Sequence, residues 1–154
     1  MQHPATVQRA ATLVGAVFLV VGIAGFIPGI TTNLYDGLDF AGHDGDAELL
    51  GIFQVSVLHN LVHLLFGVAG LVGARTWSGA RTFLVGGGAI YLVLWIYGLV
   101  IDKDAGANFV PLNTADDWLH FVLGLGMIGL GLALGRERGD HAAAPRRRPR
   151  AHGA

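Results

Sequence analysis

The stretch Leu58-His59-Asn60-Leu61-Val62-His63 lies inside a long apolar run, and its reading decides the fold. On a helix, His59 and His63 fall one turn apart on the same face, and Asn60 lies three residues before His63. Two imidazoles and a carboxamide are costly in hydrocarbon, so an apolar segment carrying all three marks a site to be explained. A counterpart, Asp116-Asp117-Trp118-Leu119-His120, opens a later apolar run. His59, Asn60, His63, Asp116, Asp117 and His120 are therefore the candidate residues of a ligand site or polar network.

Outward from these stretches, the 154 residues make one domain by length. Of these, 53% are hydrophobic and 14% charged, well below the roughly one quarter of charged residues in soluble domains. The charges gather between apolar runs at 7–27, 49–74, 82–101 and 116–135. Each run has about 20 residues or more, enough to cross the hydrocarbon core. The expectation is an all-α polytopic membrane protein with four transmembrane helices. Pro28-Gly29 ends the first run. With no well-placed small-x-small signal after it, a span is favoured over a cleaved leader. The run 49–74 exceeds what a span needs, so it should tilt or protrude. Tyr91, Trp95 and Tyr97 suit an interfacial aromatic belt, and Gln54 and Ser56 an interfacial position. The segment 75–81 reads as a tight turn. Thr114, with Asp117 three residues on, reads as a capping box for the fourth helix.

The net charge of −1 conceals a segregation. All nine arginines precede the first span, lie between the second and third, or follow the fourth. Lys103 is alone on the other side, among nine of the eleven acids. Positive-inside then places both termini in the cytoplasm. The segment 136–154, with Pro145-Arg146-Arg147-Arg148-Pro149-Arg150, is expected to be a disordered basic cytoplasmic tail, leaving 1–135 as the transmembrane domain. The acidic segment 43–48 lacks the spacing and closing glutamate of an EF-hand and reads as a solvated loop. The chain has no cysteine, which excludes disulfides, thiolate metal sites and cysteine nucleophiles. A nucleic-acid partner would rest on the arginine tail alone, and none is expected. The expected partners are the lipid bilayer and a membrane protein or second copy of the chain.

The chain also repeats itself weakly. The segment from Arg9 to Gly15 is similar to that from Arg81 to Gly86, and His59-Asn60-Leu61-Val62-His63 with Gly67 aligns with Asp116-Asp117-Trp118-Leu119-His120 with Gly124. Two parallel helix-hairpin repeats follow, related by an axis along the membrane normal, with His63 and His120 at one depth. Asn60, His63, Gly67, Gly70 and Ala74 form one helical stripe, and Asp117, His120, Gly124 and Gly131 another. Small residues let helices approach closely in lipid, so both stripes should face the bundle interior. Polar groups at the outer end and glycine below predict a pocket that opens outward.

Four readings of this constellation stay open. A metal could be held by His59, His63 and His120 with an adjacent aspartate. A haem could lie between His63 and His120. A quinone, small-ligand or proton-relay pocket could use His63, His120 and Asp117. Alternatively, the same groups bond across the bundle and fix its register. No cofactor is assigned. The sequence shows no nucleophile paired with a base and no nucleotide loop, so no enzymatic activity is assigned.

The motifs from Leu58 to Gly67 and from Pro111 to His120, with Asn33-Leu34-Tyr35-Asp36 ahead of the second span, resemble an actinobacterial membrane family, domain of unknown function 4383. The resemblance covers roughly residues 4–135 and implies a four-helix protein of the bacterial inner membrane. It carries no activity and no catalytic assignment. Relatives are expected to have asparagine after Asp116; here Asp117 adds an acid beside the site. The expected function is that of a small membrane protein binding a ligand or ion at its polar site or assisting a partner complex. A metal- or haem-dependent redox enzyme is the alternative.

Overall fold

A computed structural model describes residues 5–135, so the basic tail expected at 136–154 lies outside the described residues. The chain is mostly helical. Its helices are α1 (Thr6–Ala24), α2 (Leu34–Gly37), α3 (Val57–Gly73), α4 (Trp77–Val100) and α5 (Thr114–Ala133). Three two-residue strands, β1 (Thr31–Thr32), β2 (Glu48–Leu49) and β3 (Phe53–Gln54), form a small antiparallel sheet in that order. Helices α1 and α4 are long and apolar enough to cross a membrane, and α3 is a shorter apolar helix of 17 residues. Helix α5 has 20 residues, with Asp116 and Asp117 in its first turn.

Helix α1 packs chiefly on α3, and α4 on α5. The two pairs meet where α4 touches α1 and α3, whereas α1 and α5 touch only sparsely. Within each pair the backbones themselves are in contact. A Cβ on Gly15 would lie 3.0 Å from the Gly67 carbonyl oxygen, and one on Gly70 2.8 Å from the Gly15 Cα. In the other pair, a Cβ on Gly88 would lie 2.7 Å from the Gly124 carbonyl oxygen. Both predicted stripes are buried along their whole length. Between the pairs, Phe18, Phe66 and Tyr91 pack with ring centroids 5.3–5.4 Å apart.

Several boundaries differ from the sequence expectation. The run 49–74 is not one helix: β2 and β3 occupy its start, joined through Leu50 and Gly51, which have φ values of 58° and 66°. Left-handed backbone cannot continue into an α-helix, and a short apolar run does not by composition distinguish strand from helix. Ser56 then caps α3, its Oγ accepting from the His59 N–H at 3.1 Å. The turn before α4 is also shorter than expected. Thr76 caps that helix by accepting from the Gly79 N–H at 3.0 Å, so Trp77 onward is helical. Tyr91 is buried in the core, not part of an interfacial belt.

The cap of α5 lies one residue earlier than Thr114. Asn113 Oδ1 accepts from the Asp116 N–H, and Asp116 Oδ2 accepts from the Asn113 N–H, both at 3.0 Å. The same Asp116 oxygen accepts from the Gln54 N–H at 3.2 Å, and the Asn113 amide donates to the Ile52 carbonyl at 2.7 Å. The β2–β3 hairpin is thereby tied to the start of α5.

Two outcomes are expected from denaturation in detergent. Gly88→Ala forces a methyl into backbone and should cost about 1–3 kcal/mol. Gly86→Ala and Gly129→Ala, where a Cβ meets nothing within 4 Å, should be neutral or gain up to about 1 kcal/mol of helix propensity. Equal effects at all three positions would contradict the backbone contact. Asp116→Ala removes the acceptor of two backbone N–H groups and should cost about 1–3 kcal/mol, with Asp116→Asn, which keeps one acceptor oxygen, less damaging.

Candidate functional site

The site is built from the first two turns of α3. Because Ser56 starts the helix, His59 falls in its first turn, and the spacing puts the His63 ring directly beneath it. The two imidazoles stack with centroids 4.7 Å apart and planes inclined by 19°. Each is oriented through Nδ1: His59 Nδ1 lies 3.2 Å from the Pro111 carbonyl oxygen, and His63 Nδ1 lies 3.1 Å from the His59 carbonyl oxygen. A carbonyl can only accept, so both Nδ1 atoms carry the proton. In the neutral rings this leaves Nε2 as a lone-pair acceptor.

His120, from the second turn of α5, completes the group. Its ring meets that of Tyr91 edge-on at 5.0 Å, and its Nδ1 is buried without a hydrogen-bond partner. His59, His63, Tyr91, Phe109, Leu112 and His120 line one cavity of about 130 Å³. Among the described residues none of the three Nε2 atoms has a hydrogen-bond partner. The chemistry on offer is a small space with aromatic and aliphatic walls and unsatisfied imidazole nitrogens.

The remaining candidate residues are placed elsewhere. Asn60 turns to α1, donating from Nδ2 to the Gly25 carbonyl at 2.9 Å, where a Cβ on Gly25 would collide with it. Asp116 is engaged by Asn113 and Gln54. Asp117 sits against Gly98 and binds Lys103 Nζ through both oxygens at 2.8 Å. The acid that departs from the expected family pattern is thus neutralised by Lys103, the basic residue set apart from the arginines in the charge pattern.

Neither cofactor reading fits this geometry. Among the described residues no group of three or more His, Cys, Asp or Glu is disposed to hold a metal ion. The expected set of His59, His63 and His120 fails because the α3 imidazoles stack on one another and the aspartates are engaged outside the cavity. The haem reading fails on size: a cavity on the order of 150 Å³ accepts one benzene ring, and a tetrapyrrole is several times larger.

Tyr91, Phe109 and Leu112 were not singled out for the site by sequence reasoning. Tyr91 carried a usable signal, since it lies one turn beyond Gly87 and Gly88 on the face of α4 buried against the other helices. Phe109 and Leu112 lie on a loop, where no periodicity marks an inward position. No curated protein and no solved structure matches the chain. The sequence pattern described as domain of unknown function DUF4383 matches residues 8–133, most of the chain, and the protein belongs to that family.

Proposed function

We propose that residues 1–135 form a four-span membrane domain of the bacterial inner membrane, with both termini cytoplasmic, and that its outer half binds a small ligand among His59, His63 and His120. One observation carries the ligand reading. Three histidines from two helices share a cavity, and among the described residues the Nδ1 of one of them, His120, is buried without a hydrogen-bond partner. Buried polar atoms are normally satisfied, so such an orphan beside a cavity is a reason to look for what satisfies it.

The membrane reading is supported by which residues face outward. Val20, Leu65, Val93 and Val122, one from each long helix, are 65%, 69%, 65% and 63% exposed, whereas the interior holds glycine and the polar groups. That arrangement suits lipid rather than water as the surrounding solvent. At 17 residues α3 is at the short end of what spans. The parallel-repeat reading is supported by contacts that correspond between halves. Ser56 and Asn113 are the caps, Asn60 and Asp117 each press on a glycine of the partner helix, and Gly15 on Gly67 matches Gly88 on Gly124.

Topology is tested with a cytoplasm-active reporter fused after Thr76, after Gly139 and after Gly45. The first two fusions should be active and the third silent; activity at Gly45 reverses the orientation. The shared cavity is tested by a double-mutant cycle in detergent with His63→Ala and His120→Ala. Residues of one network couple by roughly 0.5–3 kcal/mol, whereas distant sites add within about 0.5. Additive effects would remove the common site. Coupling that vanishes on exhaustive delipidation would identify a bound molecule as its source.

A further inference from the structure

We infer that the β2–β3 hairpin is seated in the bilayer leaflet farther from the arginines, with Leu50 and Ile52 at its tip against the upper part of the acyl chains. This rests on the four-span reading above and adds a lipid contact made outside the helices.

Depth carries the argument. The charges that bound α4 are Arg81 and Asp102, with none between them. At 1.5 Å per residue they stand about 31 Å apart, close to the roughly 30 Å of hydrocarbon. The other pair is shorter. From Arg9 to the end of α1 at Ala24 is about 22 Å, and from Arg75 back to the start of α3 at Val57 about 27 Å, on the same rise. The two helices are level at both ends: Gln8 Nε2 donates to the Ala74 carbonyl at 3.0 Å, and Asn60 Nδ2 to the Gly25 carbonyl at 2.9 Å. Part of the apolar thickness that α4 crosses is therefore left to the segments that follow α1 and precede α3, and any tilt adds to it. The hairpin stands there. Thr31 Oγ1 donates to the Ala24 carbonyl at 3.0 Å, and the Leu50 N–H to the Ile30 carbonyl at 2.8 Å, which fastens the tip beside the end of α1.

Composition and backbone suit that depth. No Asp, Glu, Lys or Arg occurs in 10–35 or in 49–74. Leu50 and Ile52 are 64% and 51% exposed, and Ile27 and Ile30 are exposed as well. Leu50 has left-handed backbone, with φ 58°, a conformation that ordinarily selects glycine or asparagine. Its exposed side chain gains little packing within the chain, so what a leucine supplies there is contact with an apolar surface outside it. Non-helical backbone at membrane depth must have its polar groups satisfied. At the tip the Gly51 N–H donates to the Glu48 carbonyl at 3.2 Å and the Ile52 N–H to the Leu49 carbonyl at 3.1 Å, while the Ile52 carbonyl accepts from Asn113 Nδ2 at 2.7 Å.

The chain has no cysteine, so single cysteines report position directly. Leu50→Cys, Ile52→Cys, Val93→Cys and Asp44→Cys, each in the full chain, are labelled with an environment-sensitive fluorophore and reconstituted at high dilution in phosphatidylcholine–phosphatidylglycerol vesicles. Emission is quenched with lipid spin-labelled near the top or near the end of the acyl chain, or with iodide on both sides of the membrane. Val93, exposed near the middle of α4, is the lipid reference, and Asp44, with its side chain 90% exposed, the water reference. Leu50 and Ile52 should lose more emission to the shallow spin label than to the deep one, the order should reverse at Val93, and iodide should quench Asp44 alone. Iodide quenching at Leu50 and Ile52 equal to that at Asp44, with Val93 still in lipid, overturns the inference and leaves the four-span reading standing with a bilayer thinned around α1 and α3. Protection of the tip from both quenchers also overturns it and gives this face to a protein neighbour. Iodide quenching at Val93 takes down both readings.

Discussion

The spacing of the helices is set by backbone touching backbone. Gly15 lies on Gly67 and Gly70, and Gly88 on Gly124, at distances that exclude even a methyl group. On the proposed membrane reading, where burying apolar surface gives no advantage between helices, such close packing is what holds a pair together. Each pair is locked at its glycines, and the stripe that supplies them changes character toward the other end. On α3 it runs from Gly70 and Gly67 to His63 and Asn60; on α5 it runs from Gly131 and Gly124 to His120 and Asp117. Where glycine gives way to ring side chains the helices cannot close on one another, and the cavity lies there. It follows from changing side-chain volume along two stripes held at fixed spacing.

The polar residues at that level are sorted by what each can satisfy. Asn60 donates to the carbonyl that α1 leaves free at Gly25, and Asp116 takes up N–H groups at the start of α5 and on β3. Asp117 has Lys103. These are the groups whose unsatisfied burial would cost most. His59 and His63 differ because an imidazole has two nitrogens and the protein engages one, whereas His120 Nδ1 is buried with no partner among the described residues. Orientation through Nδ1 and availability through Nε2 are the same arrangement that second-shell carbonyls impose on histidines elsewhere, and it is why they, not the acids, define the chemistry of the site.

Much of this was legible in the chain. Helical spacing places His59 over His63, and the mixed glycine and polar stripes mark the buried faces of α3 and α5. The unusual content of the stretch from Leu58 to His63 pointed to the cavity. What failed was local. The start of α3 was missed because Leu49 to Val55 is apolar enough for helix, and only the positive φ at Leu50 and Gly51 shows otherwise. The α5 box was misplaced by one residue because Thr114 and Asn113 are both good caps; Asn113 prevails because it also reaches Ile52. Tyr91 was assigned to a belt because aromatic clustering says nothing about which face of α4 is inward. Treating the six polar residues as one network erred for a related reason. Sequence gives their level along the helices, but it does not say which neighbouring helix end needs each of them.

One relation between the halves remains, and it ties the fold to the site. In the repeat alignment His59 corresponds to Asp116, and at the same offset Gln54 corresponds to Pro111. His59 donates to the Pro111 carbonyl, and Asp116 accepts from the Gln54 N–H. Each half thus reaches from the first turn of its second long helix to the segment preceding the other half's corresponding helix. On the proposed relation between the halves such reciprocity is expected, since under a two-fold residue i meets j and j meets i. The chemistry at the two equivalent contacts is inverted, donor for acceptor. The inversion has a consequence for the cavity. The carboxylate in this contact carries a charge that its neighbours must offset, whereas the neutral imidazole in the first half makes the bond with Nδ1 and turns an uncharged acceptor, Nε2, to the space beyond. Of the two residues, His59 lies on the cavity wall and Asp116 does not.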